Sequence, residues 1–109
     1  MLAETAFSGK IKKSNTGKST LYVNGDLVIK NSIAFKELLS KAIKGSTDII
    51  LLLEEVTNID VTSIQLIRAF VKDMKKKGLN VVIVPPQKSS VIISLKQTGF
   101  YNLILSNNA

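Results

Sequence analysis

Two hydrophobic rhythms run along the chain, and the places where one gives way to the other divide it into elements. Residues 6–13 and 19–24 follow the two-residue period of strands, and in "STLYVNG" Leu21 and Val23 fall on one face. "NTGK" between these runs has the composition of a turn. "VNGD" predicts a further turn or kink after Val23, with "LVIK" as a brief extension of the strand. A helical period follows, with Ser32 as its cap, an apolar stripe of Ile33, Phe35, Leu38, Leu39, Ala42 and Ile43, and Gly45 as its stop.

"DIILLLEEV", residues 48–56, is an almost unbroken apolar run of strand length. Apolar residues at both phases of the alternation predict a strand covered on both faces, as in a parallel or mixed sheet. A second helix is expected from about Ser63 to Lys77, with Ile64, Ile67, Val71 and Met74 on one side and Leu66 and Phe70 beside them. Lys75, Lys76 and Lys77 suit the negative end of its dipole, and Gly78 ends it. "LNVVIV", 79–84, is the next buried strand, stopped by Pro85 and Pro86. A third helix is expected from about Ser90 to Gln97, then Gly99, then "FYNLIL" as a short strand or packed tail.

The order β-β-α-β-α-β-α predicts an α/β fold, a single-layer mixed β-sheet with helices packed on it. The strands on either side of the second helix should be parallel, with a right-handed crossover. With 109 residues, 45% of them apolar, and no repeat or linker-like stretch, residues 1–109 read as a single domain. The longest apolar run, Ile49–Leu53, is far short of the roughly 20 residues that span a bilayer, and "MLAETAFSGK" does not read as a signal peptide. A cytoplasmic protein is expected.

Composition narrows the chemistry. The chain has no cysteine and no histidine, which removes disulfides, thiolates, the commonest general base and the commonest metal ligand. The formal charge is +7, but the lysines are spread out and aromatic residues make up only 6%, so direct nucleic-acid binding is not expected. "TGKST" at 16–20 resembles the end of a phosphate-binding loop, yet the position that requires the first glycine holds Lys12, and a strand follows where a helix is needed. Asp48, Glu54, Glu55 and Asp60 lie near the central strand, but Glu54 and Glu55 are adjacent and should point to opposite faces. No enzyme, metal site or cofactor is expected.

The remaining candidate is "NIDVTSIQLI", 58–67, at the junction of a strand and a helix. With Thr62 as N-cap, Gln65 would complete a capping box, and Val61 and Leu66 a hydrophobic staple. The same geometry sets hydroxyls beside free backbone N–H groups, where an anion is favoured and a phosphate is tolerated.

"LYVNGDL" leading into a helix, "IILLLEEV", "NIDVTSIQLI", "KKKGLNVVIV" and a short helix ending "KQTGF" together resemble a STAS domain of the bacterial anti-sigma factor antagonist family, over roughly residues 7 to 104. The resemblance implies a partner-switching protein, a monomer when free, that binds an anti-sigma factor which is also a GHKL-type serine/threonine kinase. Nucleotide and Mg²⁺ would belong to that partner. It places Asp60 on the family's aspartate, Val61 on its variable position and Thr62 on its phosphorylated hydroxyl. Ser63, where glycine is usual, becomes the alternative acceptor. Asp60 would orient the acceptor hydroxyl or contact the kinase. The contact patch, residues 24–33 and 57–68, would include Asp26, Asn58, Asp60, Thr62, Ser63 and Gln65. STAS-like domains also serve as unphosphorylated subunits of lipid-transport ATPase complexes or of other signalling assemblies, which is the alternative role.

Overall fold

The computed structural model describes residues 7–107. The order is β1 (Ser8–Lys13), β2 (Lys18–Leu27), a 3₁₀ turn (Ile29–Asn31), α1 (Ser32–Ile43), β3 (Asp48–Ile59), α2 (Val61–Lys76), β4 (Asn80–Val84), α3 (Ser89–Gln97) and α4 (Phe100–Asn107). One sheet has the order β1-β2-β3-β4, with β1 and β2 antiparallel and β2, β3 and β4 parallel. This is the expected mixed sheet with helices packed on it. Residue 6, the expected start of the first strand, lies outside the described residues.

Several expectations change. Of the turn or kink expected at "VNGD", the structure has the kink and not the turn: β2 runs on to Leu27, with register shifts between Tyr22 and Asn24 and between Gly25 and Asp26. Gly25 takes the kink with φ +87°, which a glycine tolerates without a Cβ penalty. The cap of α1 is Asn31 rather than Ser32, and the Asn31 side chain donates instead to the carbonyl of Asp26 at 2.8 Å. Within α1, Phe35, Leu39 and Ala42 are buried but Ile33 is exposed. At about 100° per residue Ile33 lies about 200° from Phe35, so it never shared the stripe. The tail is helix α4, whose Phe100 and Ile104 are buried in the common core; a strand there would have needed an edge to pair with.

The last change concerns the sheet itself. Inward rows Ser19, Ile49, Val81 and Leu21, Leu51, Ile83 are buried, as are Val23 and Leu27. The opposite rows are Lys12, Thr20, Ile50, Val82 and Lys10, Tyr22, Leu52, Val84, and none of their members is buried. So, among the described residues, β3 is covered on one face only. The reason is topological. Successive right-handed crossovers that step across the sheet in one direction put their helices on the same side. The helix side is closely fitted: Ser19 Oγ donates to Ser46 Oγ, which donates to the carbonyl of Ala42 at 2.7 Å. At the far end of α2, Gly78 (φ +75°) and Leu79 donate to the carbonyls of Lys75 and Met74, a double-bonded stop that turns the chain into β4.

Candidate functional site

β3 ends at Ile59 and α2 starts at Val61, so a single residue, Asp60, makes the junction. Its backbone is extended (φ −116°, ψ 174°), as a helix cap requires. Its Oδ1 accepts from the backbone N–H of Ser63 at 2.9 Å, which is the N-cap bond. Its Oδ2 accepts from the backbone N–H of Ile29 at 2.8 Å. The Asp60 N–H donates to the carbonyl of Leu27 at 3.3 Å. One side chain therefore caps α2 and ties it to the 3₁₀ turn that begins α1. Both of its oxygens are engaged by backbone N–H groups, and an acidic group here also meets the positive end of the α2 dipole.

The cap therefore sits two residues earlier than expected, and Thr62 is not the N-cap. Asp60 outcompetes it because a carboxylate reaches the third N–H with an acceptor that carries full charge. Gln65 lies beyond the capping-box position and is exposed. The staple positions become Ile59 and Ile64, both packed on the core, and Val61 is released to solvent with 58% of its surface exposed.

The two hydroxyls differ. Thr62 is half-buried. Ser63 is fully buried, and its Oγ has no hydrogen-bond partner. Of the two hydroxyl-bearing residues at the helix start, Thr62 is therefore the more accessible.

The rest of the expected patch is drawn together around this junction. Asp26 Oδ1 accepts from Thr57 Oγ1 at 3.3 Å, and Asp26 pairs with the exposed Asn58 across the β2–β3 ladder. The sequence reading missed the apolar members. Ile29, the residue tied to Asp60, is 62% exposed, and Ile33, one turn further on, is 72% exposed. The signal for Ile33 was its angle on the helix wheel; for Ile29 there was none, because "LVIK" read as strand.

Other concavities offer less chemistry. An open groove of about 340 Å³ between α1 and α2 is lined by Leu39, Ile43, Leu66 and Phe70, with Lys36 and Asp73 at its rim. Among the described residues no group of three or more acidic side chains is placed to hold a metal ion. No helix among them is long and apolar enough to cross a membrane.

Comparison with known proteins agrees with the fold. The phosphorylated form of SpoIIAA, a Bacillus cell fate determinant, superposes with a TM-score of 0.65 at 12% identity, covering 87% of this chain and 86% of that one. An anti-sigma factor antagonist from Mycobacterium paratuberculosis gives 0.77 at 12% identity, covering 94% and 86%. A sulfate transporter family protein from Wolinella succinogenes gives 0.65 at 20% identity, covering 85% and 75%. No curated protein matches. The model of the STAS domain matches residues 10–108. With nearly its whole length matched and the mixed sheet in place, the chain belongs to the STAS domain family.

Proposed function

We propose that this chain is a non-enzymatic, cytoplasmic docking module of the anti-sigma factor antagonist type, one STAS domain over residues 1–109. It binds an anti-sigma factor that is a GHKL-type serine/threonine kinase and thereby frees a sigma factor. The observation that carries this reading is the corner itself. Exposed Ile29, Ile33 and Val61 surround a helix start that Asp60 holds rigid. Exposed aliphatic side chains on a fixed backbone lose little entropy on binding and gain by leaving water. Asp26, Asn58 and Gln65 supply the polar rim. Thr62 is the phosphoacceptor, and Asp60 acts by holding it in place. A phosphate there would set close to two negative charges against an apolar contact and beside the Asp60 carboxylate, which weakens docking.

A second reading keeps the corner and drops the switch, making the chain an unphosphorylated STAS subunit of a transport or signalling assembly. One observation favours it: the outermost position of the helix start is Val61, which has no hydroxyl, while Thr62 is half-buried. Mass spectrometry after incubation with the cognate kinase and ATP separates the two. Phosphate on Thr62, with release of partner by wild type but not by Thr62→Ala, supports the switch. Binding through the corner that neither kinase treatment nor Thr62→Glu alters supports the second reading.

A further inference from the structure

The uncovered face of the sheet does not match its own sequence. Parallel sheets are almost always covered on both faces, and a sheet face open to water normally carries polar residues at every second position. Here the open positions of β3 and β4 are Ile50, Leu52, Val82 and Val84, and Val82 is 42% exposed. Ile50 pairs with Val82 and Leu52 with Val84, so the four form one block. Tyr22 borders this block on β2, opposite Leu52. The surface is contoured at Tyr22: a depression of about 290 Å³ lies among Lys10, Lys12, Tyr22 and Asn24, and a smaller one among Tyr22, Asn24, Leu52 and Glu54.

The charges on this face are arranged unevenly. Lys10 and Lys12 stand on β1 and Lys18 at the start of β2. The acidic groups near this face are Asp48 at the start of β3, which accepts from Asn80 Nδ2 at 2.9 Å, Glu54, two residues beyond Leu52, which accepts from Gln87 Nε2 at 3.1 Å, and Glu55, which lines the smaller depression. The β4 side has no charge of its own. We propose that this face is a second docking surface, separate from the Asp60 corner, for an amphipathic helix of a partner protein with an apolar stripe and acidic residues along one flank. The apolar stripe covers Ile50, Leu52, Val82 and Val84, and the acidic flank lies over Lys10 and Lys12. A helix is the occupant because helices are what cover parallel sheets. An acidic partner is favoured over a second copy because a second copy brings the same +7 charge to the contact. The consequence is a module with two surfaces, able to bridge two proteins.

The test uses the full chain, labelled with ¹⁵N. It is titrated with a synthetic amphipathic helical peptide of about 18 residues, or five turns, bearing a Leu/Ile stripe flanked by Glu, and with the same peptide bearing Lys in place of Glu. The acidic peptide is expected to bind and to shift the amides of Tyr22, Ile50, Leu52 and Val82. Val82→Lys, and separately Lys10→Glu with Lys12→Glu, should each weaken binding at least about tenfold. Circular dichroism and Tm check that both variants fold; the lysine reversal alters exposed side chains only. Val61→Lys, at the other surface, should leave this binding unchanged, so either surface can fail without the other. Equal binding of both peptides, or shifts confined to the Asp60 corner or the α1–α2 groove, would overturn the proposal. So would dimerisation of the free chain that Val82→Lys abolishes, or nuclear Overhauser contacts from residues 1–6 to Ile50 or Val82.

Discussion

Leu51 and Leu52 are neighbours in β3 and identical in chemistry, yet Leu51 is fully buried under the helices and Leu52 is half-exposed on the other face. The same holds for Ile83, fully buried, against Val82, 42% exposed, in β4. One face of this sheet is a finished core, and the other, among the described residues, is an apolar surface without a cover. The difference teaches that hydrophobicity alone does not say what a residue packs against. On the helix side it is spent on folding; on the open side it remains available for association.

The sharpest way to break this comparison is to truncate both leucines. Leu51→Ala should cost about 2–5 kcal/mol, since it leaves a cavity in a close-packed core. Leu52→Ala should cost about 1 kcal/mol or less, because water and neighbouring side chains fill the space. Urea unfolding followed by circular dichroism measures both, and equal losses would mean that the open face is as well packed as the other.

The next effect is at the junction. Asp60→Ala removes the α2 cap, worth about 1 kcal/mol, and the bond from the Ile29 N–H, worth about 1 kcal/mol more. Thr62→Ala should change stability by no more than about 0.5 kcal/mol. If Thr62→Ala were the costlier of the two, the cap would lie where the sequence pattern first put it. Hydrogen exchange at the Ile29 and Ser63 amides should rise in Asp60→Ala and stay level in Thr62→Ala.

The smallest effect sharpens the account of the two hydroxyls. Ser63→Ala removes a buried oxygen that has no partner. Stability should stay level or rise by up to about 1 kcal/mol, since the desolvation penalty of the hydroxyl disappears. A clear loss in Tm would reveal that the Ser63 hydroxyl is bonded in solution.

Most of the fold was legible in the sequence, and for identifiable reasons. The period-two and 3.6-residue stretches are long, and Gly45 and Gly78 end their helices where expected, both with positive φ. Two of the errors arise where two local signals compete. "VNGD" is turn chemistry, but pairing with β3 on to Leu27 and Ile59 holds it in the sheet, and Gly25 absorbs the irregularity. "DVTS" contains two good caps, and the choice between them fell to Asp60, whose second oxygen gains a bond to Ile29, a residue 31 positions away. Of the candidate site, Asp60, Thr62 and Ser63 could be named from the chain alone. The exposure of Ile33 was legible from its angle on the helix wheel, whereas that of Ile29 and Val61 was not.

The residues by themselves determined the strands and α-helices up to the last helix, the parallel pairing of β3 with β4, and the stretch that holds the strand-to-helix junction. These follow from periodicity, turn residues and the short reach of local hydrogen bonds, all of which are written within a few residues of where they act. Only the tertiary structure decided which oxygen caps α2, which hydroxyl is buried, and that, among the described residues, one face of an apolar strand is left bare. Each of those depends on a distant segment: the Ile29 amide, the core over Ser63, and helices that right-handed crossovers carry to a single side of the sheet.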